Sequence, residues 1–174
     1  YSALACADAF SFETGLALVR VRAEAMQRAG QQNPGTMAAV VGLADEKLEQ
    51  VCSDASSAGV VVPANFNSSG QIVISGDVPA VERAMELAKS AGAKLVKKLV
   101  VSGAFHSPLM KLAADELGAA LESADIRTPR VPVISNVTGN AHTTPDSIRE
   151  LLAAQLLSPV RWTACQSALA EMNP

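Results

Sequence analysis

Aromatic side chains are scarce in this sequence: one Trp, one Tyr and four Phe in 174 residues. A core without them is built from Ala, Val, Leu and Ile. Charge is also sparse, with Asp, Glu, Lys and Arg together at 18% and a net charge of -3. That balance supplies no basic footprint for a phosphate backbone, and no Lys/Arg cluster carries interleaved aromatics, so nucleic acid is excluded as a partner. No apolar run approaches the roughly 18 residues that a membrane span requires. Cys6, Cys52 and Cys165 are odd in number and widely spaced. They have neither metal nor redox spacing, which predicts reduced thiols, no metal site and a cytoplasmic protein.

What is present is a folding composition, 49% apolar, in a chain long enough for one domain or a domain with a small insertion. Residues 12–29 have helical period, with Phe12, Leu16, Val19, Ala23 and Met26 as the apolar stripe. Residues 31–35 then read as a linker. Met37–Val41 reads as a strand and Asp45–Ala58 as a helix with Leu48, Val51, Cys52 and Ala55 inward. Val60–Phe66 and Gln71–Ser75 read as two strands joined across a hairpin turn. Asp77–Ala91 is expected to be a helix capped by Asp77, and Lys94–Val101 a strand. The order is βαββαβ, a ferredoxin-like unit over residues 35–102. Beyond it, Ser107-Pro108 opens a helix, Val131–Ser135 has the character of a buried strand, and Thr144-Pro145 opens another helix. Helices alternating with apolar strands predict a parallel α/β body, residues 1–34 and 103–174, into which the small unit is inserted.

Two residues carry candidate chemistry. Arg22 falls at the edge of the first helix's apolar stripe, three after Val19 and four before Met26. A guanidinium cannot lose its proton, so burial demands an anion. Either the side chain reaches water or a distant acid, or a ligand carboxylate meets it through two parallel hydrogen bonds. His106 lies in the loop leaving an apolar strand, just before a capped helix. An imidazole with a reference pKa of about 6.5 suits a general base, and an ordinary loop histidine fits the spacing equally. His142, in a polar turn, has no ligand spacing to His106. Ser102, Ser107 and Ser135 are available hydroxyls, and none stands in a nucleophile-elbow pattern.

Five segments in order resemble one family. They are Tyr1-Ser2-Ala3-Leu4; Val19-Arg20-Val21-Arg22 with Met26-Gln27; Pro63 to Gln71 with Ile74-Ser75-Gly76; Ala104-Phe105-His106 with Leu109-Met110; and Ser158-Pro159-Val160-Arg161-Trp162. Together they are similar to the malonyl-CoA:acyl-carrier-protein transacylases and the related acyltransferase domains of fatty-acid and polyketide synthases. The resemblance implies an α/β-hydrolase-like parallel-sheet body with a ferredoxin-like insertion. It implies transfer of malonyl from coenzyme A to the phosphopantetheine thiol of acyl carrier protein through a seryl ester, in fatty-acid synthesis, with no cofactor. By the same likeness, His106 is the general base and Arg22 holds the malonyl carboxylate. Met26, Asn67 and Phe105 contribute to substrate binding, and Ala104-Phe105 resembles the malonyl-selective form of the loop. The family's Gly-His-Ser-Leu-Gly-Glu elbow would end just before Tyr1, which places the nucleophile outside this chain. The chain then reads as a central fragment, incomplete at both ends and inactive alone.

Other assignments stay open. A ferredoxin-like module that binds a small molecule without catalysis would need no serine, but leaves the similarity outside residues 35–102 unexplained. An acyltransferase domain of a polyketide synthase shares every motif named. A hydrolase of neutral esters would leave Arg22 buried without an anion.

Overall fold

The computed structural model describes residues 1–172. Helix α1 (Ser2–Cys6) leads into helix α2 (Phe12–Gln32), whose first turn is capped by Ser11. Its hydroxyl accepts a hydrogen bond from the Thr14 backbone N–H at 3.1 Å, satisfying one of the donors that a helix start leaves over. Strand β1 (Gly35–Val41), helix α3 (Asp45–Ala55), strands β2 (Val61–Ser68) and β3 (Gln71–Asp77), helix α4 (Val78–Ser90) and strand β4 (Leu95–Lys98) follow in the expected βαββαβ order. Helices α5 (Lys111–Glu122) and α6 (Pro145–Ala154), strand β5 (Val160–Arg161) and helix α7 (Trp162–Glu171) complete the mixed α/β architecture.

All five strands belong to one sheet, ordered β4-β1-β3-β2-β5. The first four are antiparallel neighbours, and β5 joins β2 in parallel, with Asn65 opposite Val160 and Phe66 opposite Arg161. Leu48, Val51, Cys52 and Ala55 from α3 and Ala80, Val81, Ala84 and Ala88 from α4 pack on Val40, Ile72 and Ile74 of the sheet. Asp77 makes no side-chain bond to the start of α4. Its carboxylate instead accepts from the Val60 N–H at 2.7 Å and ties the beginning of β2 to the end of β3.

The second core lies outside the sheet. Leu18, Ala25 and Ala29 of α2 cluster with Met110 and with Ala113, Leu117 and Leu121 of α5, and Ile148 and Leu152 of α6 close the same cluster. The small residues of α2 let the two helices approach closely, since close packing at a helix crossing depends on side-chain size.

Three further expectations are corrected. The stripe Phe12, Leu16, Val19, Ala23 faces outward, with Phe12 72% and Leu16 57% exposed. The buried face is instead Gly15, Leu18, Ala25 and Ala29, and Arg22, half-buried, falls in the middle of that 3-4-3-4 spacing. Segment Val131–Ser135 is not a strand: its single bridge is Ile134 to Ala141, because an extended segment becomes a ladder only beside a partner edge. Strand β4 stops at Lys98, where the chain turns away after Leu99 donates to the Met37 carbonyl. Among the described residues, β2–β5 is the one parallel pair in the sheet.

Candidate active site

The His106 loop is set by close backbone packing. A Cβ on Gly30 would stand 2.7 Å from the Ser102 carbonyl oxygen, and one on Gly35 would stand 2.6 Å from the Ala104 Cβ. Only glycine lets α2 and β1 come this near to the loop. Ser107 then closes the loop on itself. Its hydroxyl donates to the Ala104 carbonyl at 2.6 Å and accepts from the Leu109 N–H at 3.3 Å, opening the 3-10 turn at Pro108–Met110. That hydroxyl is committed to structure.

His106 itself has φ of +58°, a left-handed conformation uncommon outside glycine. Such a residue costs on the order of 1–3 kcal/mol and persists only where its surroundings hold it. The hold comes from α6: His106 Nδ1 lies 2.8 Å from the carbonyl oxygen of Gln155, the residue that caps that helix. A carbonyl only accepts, so Nδ1 carries the hydrogen and Nε2 is left with its lone pair. Burial lowers the His106 pKa below its ordinary value of 6.5; the Gln155 carbonyl raises it and the Arg22 charge lowers it further. The ring is therefore a neutral base at neutral pH.

Arg22 lines a cavity of about 400 Å³ together with His106, Tyr1, Ser135, His142 and Gln155. No Asp or Glu contributes to its wall. Arg20, Arg28, Arg83, Arg127, Arg130 and Arg149 each pair with a carboxylate. Arg161 lies over the Phe66 ring, 5.9 Å from its centroid. Among the described residues, Arg22 alone of the arginines does neither. His106 also lines a second cavity, about 340 Å³, with Glu49 of α3, Val62, Pro63 and Phe66 of β2, and Leu157, Pro159 and Arg161. His106 is common to both cavities.

The other predicted site residues lie differently. Met26 and Phe105 are half-buried and pack against the α2–α5 core, and Phe105 also reaches the small cluster of Met37, Ala64 and Val73. Asn67 is one of two positions at which the pairing of β2 with β3 slips, Ala64 being the other, and it lines neither cavity. Ser135 is buried in the cavity wall, where its hydroxyl accepts from the Val137 N–H at 3.2 Å. Sequence reasoning missed Gln155, whose contribution is a main-chain carbonyl that no side-chain pattern announces. It also passed over Tyr1 as a lining residue, because a 3.6-residue period says nothing about where a separate helix end will meet α2.

His106, an arginine without a carboxylate partner and a cavity that both residues line make up the candidate active site. The acyl transferase domain family matches residues 1–174. The chain belongs to that family. It is 45% identical over 163 residues to the malonyl CoA-acyl carrier protein transacylase of Escherichia coli K12, covering 94% of this chain and 53% of that protein. The solved malonyl CoA-acyl carrier protein transacylase from Coxiella burnetii superposes with a TM-score of 0.96 at 42% identity, over 99% of this chain and 55% of that one. A malonyl-transacylase solved in complex with a type II polyketide synthase acyl-carrier protein superposes with a TM-score of 0.94 at 39% identity, over 98% and 55%. The chain thus spans about half the length of the curated relatives it matches.

Proposed function

We propose that these residues form part of an enzyme that transfers malonyl from coenzyme A to the phosphopantetheine thiol of acyl carrier protein in fatty-acid synthesis. The observation that carries this reading is Arg22: a fixed cation on the core-facing side of α2, in a cavity with His106 and without an acid on its wall. The free carboxylate of a malonyl group supplies the missing anion. A bidentate guanidinium–carboxylate pair in such a site is strong and planar, and acetyl cannot make it.

In this reading a serine hydroxyl outside residues 1–174 attacks the thioester carbon while His106 Nε2 takes its proton. The proton passes to the departing coenzyme A sulfur, leaving a malonyl-seryl ester. In the second half the acceptor thiol gives its proton to His106 and attacks the ester, and the serine oxygen recovers a proton as it leaves. A thioester is already activated, so the chemistry needs no cofactor. Met26, Phe105 and Asn67 are assigned to substrate binding by family likeness, and none of the three lines the two cavities that His106 shares. We read residues 35–102 as a ferredoxin-like insertion, supported by the β4-β1-β3-β2 order with both helices on one face. Residues 1–34 and 103–174 are then part of an α/β-hydrolase-like body. The thiols of Cys6, Cys52 and Cys165, all free, accord with a cytoplasmic setting.

The test is Arg22→Ala in an intact acyl transferase carrying these residues. Malonyl transfer should fall on the order of 100-fold more than acetyl transfer, the scale of a charge-assisted pair. Equal losses on both substrates overturn the proposal.

A further inference from the structure

Charge is unevenly spread along the chain. No acidic residue occurs between Glu86 and Asp115, a stretch that holds Lys89, Lys94, Lys97, Lys98 and Lys111. Those five positive charges belong to a chain of net charge -3, so the rest of it carries -8. The basic stretch runs from the end of α4 through β4 to the His106 loop and the start of α5. Lys98 pairs with Glu82 at 2.8 Å, and Lys111 pairs with Asp115. Lys89, Lys94 and Lys97 are exposed and, among the described residues, have no carboxylate partner.

Strand alternation sorts these side chains. Val96 packs with the α3–α4 core and Lys98 reaches Glu82 of α4, so both face the helices. Leu95, Lys97 and Leu99 fall on the opposite face, where Leu99 joins Met37, Val73 and Phe105, the neighbour of His106. The outer part of that face is open: Leu95 is exposed, and so are Val100 and Val101 just beyond the strand. Strand β4 also ends the sheet, so one side of its backbone pairs with no strand among the described residues.

We propose that β4 and the segment up to Val101 are the docking surface for an acidic protein partner, the acyl carrier protein of the malonyl reading, on which this rests. Lysines interleaved with exposed aliphatic side chains fit carboxylates and apolar groups together, as a protein partner presents them. The negative balance elsewhere steers such a partner to this one basic stretch. Placement agrees. Lys98 is eight residues from His106, at most about 29 Å of extended chain. A carrier protein offers its thiol on a long phosphopantetheine arm, so its body seats away from the base and within the arm's reach. Lysines on an edge strand also discourage pairing with another sheet, but that role does not discriminate between acceptors.

The double variant Lys94→Glu/Lys97→Glu tests this in the intact enzyme, with malonyl-CoA as donor and either acyl carrier protein or free pantetheine as acceptor. KM for the carrier protein should rise roughly tenfold, and the rise should shrink as salt is added. Transfer to pantetheine, which has no protein body to dock, should stay at the wild-type rate. Lys47→Glu, at an exposed lysine of α3, should leave both acceptors unaffected. An unchanged KM for the carrier protein overturns the docking role, and self-association of the variant would then assign the lysines to edge protection. Equal losses with both acceptors, or a lowered thermal midpoint, overturn it as well. If the wild-type enzyme passes malonyl to neither acceptor, the malonyl reading itself fails.

Discussion

His106 Nδ1 and the carbonyl oxygen of Gln155 stand 2.8 Å apart, and this contact joins the loop after β4 to the end of α6. It orients the ring much as a carboxylate does in a nucleophile–base–acid triad, but with a dipole in place of a full charge. A neutral carbonyl stabilises imidazolium less than a carboxylate would. With burial the dominant influence, the His106 pKa ends below its ordinary value. The arrangement favours a ring that is unprotonated at neutral pH.

A pH dependence follows. The pKa values of His106 and His142 are both lowered from 6.5, chiefly by burial. Between those lowered values and 6.5 the unfolded chain binds more protons than the folded one. This part of the stability is therefore complete above about pH 6.5 and is lost as pH falls through the folded pKa values. Urea midpoints measured from pH 8 to pH 5 should decline on the acid side, and the double variant His106→Gln/His142→Gln should flatten the decline. The same profile in wild type and double variant would show that neither ring is titrating as described.

The left-handed backbone at His106 gives a second expectation. Replacing a residue by Gly usually costs more than replacing it by Ala, because Gly loses more freedom on folding. At φ of +58° the order should invert, since Ala keeps the steric penalty that Gly avoids. His106→Gly should be the more stable variant by about 1 kcal/mol in denaturant titration. Should His106→Ala prove equally or more stable, the loop does not hold this conformation in solution.

Gly30 gives a third. A methyl group there meets the Ser102 carbonyl at 2.7 Å, and the obstacle is backbone rather than a side chain that can swing away. Gly30→Ala should cost roughly 1–3 kcal/mol of stability. It should also lower kcat more than it raises KM, because the loop that moves carries His106. A variant with wild-type stability and turnover would mean that α2 and the loop are not in this close contact.

Much of the fold was legible because one local rule governs it. In residues 35–98, alternating apolar positions, Gly70 in the hairpin turn and the spacing of Leu48, Val51, Cys52 and Ala55 all state the same βαββαβ order. The candidate base was legible too, since Ser107-Pro108 marks a helix start and leaves His106 in the preceding loop. The buried face of α2 was not. Apolar weight follows Phe12, Leu16 and Val19, whereas burial followed Gly15, Ala25 and Ala29, which carry little hydrophobicity and win by allowing close approach. That error also understated Arg22, which sits inside the core-facing stripe rather than at its edge. Val131–Ser135 was misread for a different reason: strand character belongs to a pair of segments, and a single sequence shows one.

The two faces of α2 can be separated by experiment on residues 1–174. Leu18 is 4% exposed within the α2–α5 cluster, so Leu18→Ala removes buried methyl groups and leaves a cavity. That change should cost about 2–5 kcal/mol. Leu16 is 57% exposed, and Leu16→Gln keeps a good helix former while replacing surface that water already reaches. Its cost should stay within about 0.5 kcal/mol, as for other exposed positions. Urea unfolding of both variants under identical conditions compares the two directly. If Leu16→Gln destabilises as much as Leu18→Ala, the helix is rotated from the orientation described, Arg22 no longer faces the His106 cavity, and the anion-binding role built on that orientation fails.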